Sequence, residues 1–308
     1  MARLKYSGLL VLLFLLFLMS GTSVAAEGIA TRNPLQWLSN LEVNMIGKSD
    51  EDSGLLDRLS NLEQITTGRI FADSIVERLS RLDTLIYVNQ PHDVSLLYKI
   101  QALEWVLFKR SYAGPIQTRL ESVEKSLFNM AYTGPVTKRL EKLINQVFPD
   151  GVIKGKWVTV TEGTLVKVRM VNPLNSAQSK PGTRFQFEVV ESVLVDDFLV
   201  FPKGLNGEGI LQAVNRPENW GRDAKLMLDF AEIKALDGTP VSMIYGVKAR
   251  SMDYSRRLSV GASAAGMMAF GPGGILLGFA VKGKEKNIPQ GTEFYLQVKE
   301  PLRIYTIQ

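Results

Sequence analysis

"RLESVEKSLFNMAYTGPVTKRLEKLINQVF", Arg119 to Phe148, holds one phrase twice. Each copy opens with Arg-Leu, has a second apolar residue three positions on, and closes on an aliphatic–aromatic pair. Leu120, Val123, Leu127 and Phe128 fall at i, i+3, i+7 and i+8, as do Leu140, Leu143, Val147 and Phe148. That spacing draws one stripe along a helix. Between the copies lies "AYTGPV", where Gly134 ends one helix and Pro135 suits the first turn of the next. The reading is helix, tight joint, helix.

The phrase extends towards the N-terminus. "WLSNLE", "RLSNLE", "RLSRLD", "KIQALE", "RLESVE" and "RLEKLI" start six units. Their first apolar residues are Leu38, Leu59, Leu79, Ile100, Leu120 and Leu140, spaced 21, 20, 21, 20 and 20 residues apart. Residues 27–150 therefore form a helical tandem-repeat region, and those six side chains are its expected core. A single short helix cannot bury its stripe alone, so neighbouring units must stack on it. The charged positions Arg58, Glu63, Arg78, Arg119, Glu124, Arg139 and Glu141 are expected on a solvated face, serving a spacer or docking role. Tyr112 and Tyr132, in the Tyr-x-Gly-Pro joints, are expected to staple helices. Presenting rings to a peptidoglycan glycan or an envelope protein partner is the alternative. Units of the form RLxxLExxLF with such joints resemble repeats of secreted envelope proteins of diderm bacteria, which implies location more than activity.

From about Gly155 the pattern changes to alternation. "KWVTVTEGTLVKVRMVNPL", "TRFQFEVVESVLV", "AKLMLDFAEIKAL" and "EFYLQVKEPLRIYTI" place apolar residues at every second position, with Val, Thr, Phe and Tyr enriched. The fold class is α+β: helical tandem repeats, then over residues 151–308 a mainly antiparallel β-barrel or sandwich. Two modules echo each other. "EGTLVKVRMVNPL" and "QGTEFYLQVKEPL" each have Gly-Thr followed ten residues later by Pro-Leu. "FPKG" (Phe201 to Gly204) and "IPQG" (Ile288 to Gly291) are a second echo, suited to barrel corners.

The order of these modules resembles the periplasmic β-barrel domain of the TrbI-type scaffold subunit of conjugation and type IV secretion machines. The resemblance runs from Glu162 to Thr306. It implies a place in an outer-membrane core complex and a helical hairpin inserted between barrel strands. The family usually has an inner-membrane anchor and a Pro-rich linker. This chain has six repeats instead, so a stand-alone envelope protein sharing the barrel is an equal expectation.

"LSVGASAAGMMAFGPGGILLGFAV", Leu258 to Val281, has 24 residues and no charge. That exceeds the length of a membrane-spanning helix. Gly271-Pro272-Gly273-Gly274 breaks it into two arms, each too short to cross alone. The expectation is an apolar helical hairpin that contacts the outer membrane, with packing under the barrel or against a second copy of the chain as the alternative. Its contact residues would be Gly261, Gly266, Met267, Met268, Phe270, Pro272, Ile275, Leu276, Leu277 and Gly278, the glycines allowing the arms to close. Arg256, Arg257, Lys282, Lys284 and Lys286 bracket it and are expected at lipid headgroups.

At the N-terminus, Arg3 and Lys5 precede an apolar run from Leu9 to Met19 and the small residues Val24-Ala25-Ala26. This is the layout of a cleavable signal peptide over residues 1–26, with an uncleaved anchor from Tyr6 to Ala26 as the alternative. The protein is expected in the periplasm or at the outer membrane of a diderm bacterium. The 308-residue chain has a net charge of +5 and no dense basic run with aromatics, which argues against nucleic acid. It has no cysteine, hence no disulfide and no thiolate metal site. Its one histidine, His92, sits in the loop "NQPHDVS" and is expected to be solvated. The carboxylates Asp196, Asp197, Glu232 and Asp237 show no spacing that fixes a catalytic pair. Neither cofactor nor metal is expected, and the role is read as non-enzymatic: structural tethering or assembly, with a secretion-channel subunit as alternative and an envelope hydrolase as the remote one.

Overall fold

The computed structural model describes residues 32–90, 93–216, 224–260, 269–270, 276–278 and 286–307. The expected signal peptide and His92 lie outside them. Among the described residues six helices come first: α1 (Pro34–Ile46), α2 (Leu55–Thr67), α3 (Ile75–Tyr87), α4 (Leu96–Phe108), α5 (Ile116–Phe128) and α6 (Val136–Val147). Their starts follow from capping chemistry. The Asn33 side chain accepts from Leu35 N at α1, Ser74 and Glu77 form a reciprocal capping box at α3, and Ser95 accepts from Tyr98 N at α4. Leu38, Leu59, Leu79, Ile100, Leu120 and Leu140 are fully buried.

The helices do not form a simple string. α1, α2 and α3 pack on one another, and α4 packs on α5 and α6, which also meet. The two triplets meet through α1–α5, α2–α6 and α3–α4. The joints match in the same way. Gly47, after α1, lies under Pro115 before α5, and Gly68, after α2, lies under Pro135 before α6. A methyl group at either glycine would stand 2.7 Å from the proline ring. Two equivalent glycines thus admit two equivalent prolines, and successive helices repeat the same contact with the helix four places on.

The β domain is antiparallel. Six strands close into a barrel: β2 (Leu165–Met170), β4 (Arg184–Val189), β7 (Asn206–Asn215), β8 (Lys225–Lys234), β9 (Pro240–Ile244) and β13 (Glu293–Val298), in the order β8-β7-β4-β2-β13-β9 with β9 returning to β8. β9 meets β8 at Glu232–Lys234, which closes the barrel there and leaves the start of β8 uncovered by β9. The two echoed modules are β2 and β13, antiparallel neighbours related by a local pseudo-twofold. Gly163 N donates to Val298 O at 2.9 Å, and Gly291 N donates to Met170 O at 2.8 Å. Both glycines have positive φ, 77° and 83°, which the two matching turns require.

Inside, Phe185, Phe187, Phe230 and Phe294 form an aromatic cluster with centroids 5.2–6.4 Å apart. Phe185 and Phe187 stand directly opposite Gly209 and Gly207. A methyl at Gly209 would lie 2.3 Å from the Phe185 ring, and one at Gly207 2.4 Å from Phe187. The glycines of "GEG" are where the rings go.

A second sheet, β1 (Gly155–Val160), β14 (Leu302–Ile307), β6 (Phe198–Phe201) and β5 (Val193–Val195), joins the barrel to the helices. Leu199 and Ile307 from this sheet, with Leu236, are buried in the same apolar cluster as the helical leucines. Tyr98 of α4 stacks on Tyr305 at 5.3 Å. Ser111 N donates to Lys203 O at 2.7 Å, and Asn89 Nδ2 to Asp237 O at 2.8 Å.

Candidate functional site

The charged residues of the repeats are not a solvated face. The arginine of one helix reaches the glutamate of the preceding one. Nε and Nη2 of Arg58, Arg78, Arg119 and Arg139 donate to both oxygens of Glu42, Glu63, Glu104 and Glu124, with the shorter contacts at 2.6, 2.8, 2.6 and 2.7 Å. All eight residues are at most 7% exposed. Glu141 alone of the expected face is exposed. The physical reason is that the bidentate bond offsets the desolvation that would otherwise keep such groups at the surface. The hydrogen bond to Glu42 holds the Arg58 guanidinium above its ordinary pKa, and Glu63 does the same for Arg78. Each glutamate also accepts from the following joint: Glu42 from Ser49 Oγ, Glu63 from Phe71 N, Glu104 from Tyr112 N and Glu124 from Tyr132 N, at 3.0–3.2 Å.

The ladder has ends and one gap. Trp37 occupies the arginine position of α1, the first helix among the described residues. Ile144 occupies the glutamate position of α6, the last helix of the array. Between α3 and α4 both partners differ. Asp83 replaces glutamate and accepts from Trp37 Nε1 at 2.9 Å, while Lys99 replaces arginine and pairs with Asp93 at 2.8 Å. The four complete links lie inside the two triplets and the gap lies between them. The gap is also where the chain docks on the β domain, through Asn89 and Tyr98.

The tyrosines of the joints pack against the helix ends. Tyr112 meets Phe108 edge-on at 5.8 Å, and Tyr132 meets Phe128 at 5.3 Å with Lys142 Nζ 3.6 Å from its ring centroid.

The uncharged segment begins in α7 (Val247–Val260), which packs on β13. Ala249 N donates to Gln297 Oε1, and Asp253 accepts from Tyr295 N, both at 3.2 Å. Gly261, Gly266, Met267, Met268, Pro272 and Ile275 lie outside the described residues. The described remainder departs from a helical hairpin. Phe270 belongs to the short strand β10 (Ala269–Phe270), and Leu276, Leu277 and Gly278 form β11. These strands pair antiparallel, and β11 adds to the free side of β8 at Leu226 and Met227. The start of β8 is not covered there by β9, so its backbone groups accept a new strand. Among the described residues no helix is long and apolar enough to cross a membrane. Of the bracketing cations, Lys286 is 1% exposed, with its backbone tied to Ser176, so it does not reach a headgroup.

The candidate carboxylates are dispersed. Asp196 and Asp197 form the positive-φ turn between β5 and β6. Asp237 is buried and accepts from Thr239 N and Tyr305 N at 3.0 and 2.9 Å, a bond set that fixes a turn. Glu232 is exposed on β8, directly opposite Glu208 of β7. The described residues include no group of acids or histidine that could hold a metal ion.

No family model and no curated protein matches the chain. Among solved structures, ComB10 of the Com type IV secretion system of Helicobacter pylori matches at 12% identity, over 46% of this chain and 88% of that chain, with a TM-score of 0.27. A likeness of that size carries no argument about function.

Proposed function

We propose that this is a non-enzymatic scaffold of the bacterial cell envelope. In this reading the chain is exported, and the helical array is a rigid arm fixed to the barrel. The barrel presents residues 258–281 to the outer membrane. The observation that carries the reading is the place of that segment. An uncharged stretch leaves α7 and returns at β12 (Asn287–Ile288), outside the six strands that close the barrel, and its described part, β10 and β11, extends the sheet beyond the start of β8. An apolar surface of that extent associates with lipid or with another copy.

The test is protease cleavage of an epitope tag inserted after Pro272, in intact cells and in cells with a permeabilised outer membrane. Cleavage in intact cells is the expected result. Cleavage only after permeabilisation overturns outer-membrane crossing and leaves a periplasmic self-contact. A second reading, a subunit of a secretion or conjugation channel, is favoured by the order of the Gly-Thr and Pro-x-Gly modules around the barrel. It requires a ring-shaped oligomer of the purified protein, which the stand-alone scaffold does not.

A further inference from the structure

A cleft of about 780 Å³ separates the helical array from the outer face of β4, β7 and β8. We propose that it binds an extended segment of a partner protein through a lysine or arginine side chain of that partner. Three independent features point there. First, Glu208 and Glu232 are cross-strand neighbours in register, both exposed and both lining the cleft. Like charges directly opposite destabilise a sheet, so the pair breaks a local rule unless a cation comes between them. Arg184 reaches Glu208 only at 3.8 Å, and Glu232 forms no ion pair among the described residues. Lys234 is turned towards the Tyr87 ring instead, at 5.9 Å.

Second, Gln101 lines the same cleft. It is 3% exposed, and its Oε1 has no hydrogen-bond partner. A buried acceptor without a donor costs stability, and a bound N–H group relieves it. Gln101 Oε1 and the Glu232 carboxylate are thus unmet acceptors in one cleft, which favours a ligand rich in N–H donors. Third, Val43, Tyr112 and Ile210 are large apolar side chains 48, 41 and 37% exposed, and all three line this cleft. They offer contacts for the apolar neighbours of the basic residue. The volume falls in the range of ligand sites, and domain boundaries are where such sites collect. The walls are set in advance: Gly47 sits under Pro115, and Ser111 is bonded to Lys203. A peptide satisfies all three features at once, with an ammonium or guanidinium for the carboxylates, a backbone amide for Gln101 and side chains for the apolar points.

The probe is a displayed library of random decapeptides, selected on the full mature protein and counter-selected on the Glu208→Gln/Glu232→Gln double variant. The expected result is enrichment of lysine or arginine flanked by apolar residues. Labelled copies of the enriched peptides should lose at least about tenfold in affinity on Glu232→Gln, one charged hydrogen bond's worth. Ile210→Asp tests the apolar wall and should weaken binding without touching the carboxylates. Glu232→Gln should also raise the melting temperature slightly, since it removes the repulsion, so weakened binding is not a folding defect. Absence of enrichment, enrichment of acidic peptides, or equal binding to wild type and both variants overturns the proposal. Preference for amine-bearing saccharides over every peptide overturns the assignment to a protein partner.

Discussion

In the helical array four guanidinium groups lie inside, each clasped by a glutamate of the preceding helix. In the barrel the interior is built from phenylalanine rings laid over glycine. The difference follows from what each region must specify. A β-sheet fixes its register by backbone hydrogen bonds and by side-chain alternation, so its core needs only shape. The helices carry near-identical stripes, and leucine stripes alone do not say which helix follows which. A bidentate arginine that reaches only the preceding glutamate does. Two observations agree. The ladder is complete inside each triplet, where similar helices could exchange places. It lapses between α3 and α4, where Asn89, Tyr98 and the β domain fix the order instead.

The comparison is broken or sharpened most strongly at one link. Glu124→Ala strands the Arg139 guanidinium in the interior and should cost about 3–5 kcal/mol, read by urea denaturation. Glu124→Leu combined with Arg139→Met should recover that loss, within about 1 kcal/mol of wild type or above it. Trp37 and Ile144 show that apolar side chains fit these positions. If the link specifies order, the double variant keeps its midpoint but shows dye binding and poor NMR dispersion. A double variant as unstable as the single one sinks the argument.

On the barrel side, Gly209→Val forces a branched side chain into the space of the Phe185 ring. The expected cost is about 1–3 kcal/mol. Pairing it with Phe185→Leu should return part of that, because the two positions share one volume. Additive losses would mean that the ring does not depend on the glycine.

The two regions also differed in how well they could be read. The repeat period, the helix stripes and the Gly-Pro joints were legible because they are local: caps, turns and a 3.6-residue period lie within a few residues of each other. The echo of Gly163-Thr164 and Gly291-Thr292 was legible as well, and the structure shows it as two paired strands. The burial of Arg119 and Glu104 was not, since both residues belong to outward-facing types and their pairing spans 15 positions. A signal was present all the same: in four of the five consecutive unit pairs a glutamate is followed 15 or 16 positions on by the arginine of the next unit. The helical reading of 258–281 came from weighing hydropathy over pairing. Strand β11 adds to β8, and no property of Leu276 or Leu277 alone announces a free edge fifty residues away. The cleft at Glu208 and Glu232 was out of reach because it joins elements from both halves.

Where the two regions meet, Tyr98 offers a smaller effect with a pH signature. Burial, helped by the neighbouring Tyr305 and Asp237, pushes its phenol well above the ordinary value near 10. The folded state therefore holds the proton more tightly than the unfolded chain. The associated stability is complete below pH 10 and is lost as pH rises beyond it, at about 1.4 kcal/mol per pH unit for one such group. The Tyr98 hydroxyl is buried without a partner, so Tyr98→Phe should be neutral or mildly stabilising at pH 7. It should also flatten the decline above pH 10. An unchanged alkaline slope would assign that decline to other groups, Tyr87 first among them, since burial beside Asp83 raises it too.

The smallest effect belongs at the gap in the ladder. Lys99 sits where the other units place arginine, yet its partner Asp93 is mostly exposed and six residues away in sequence. Lys99→Ala should cost about 0.2–1 kcal/mol, as an exposed pair does, against several for Arg119→Ala at the equivalent position. Near-equal losses would mean that Lys99 carries a link of the ladder after all, and that the array is one six-helix stack. Losses several kcal/mol apart would locate the seam between α3 and α4, and would make the β domain the element that sets the order of the two triplets.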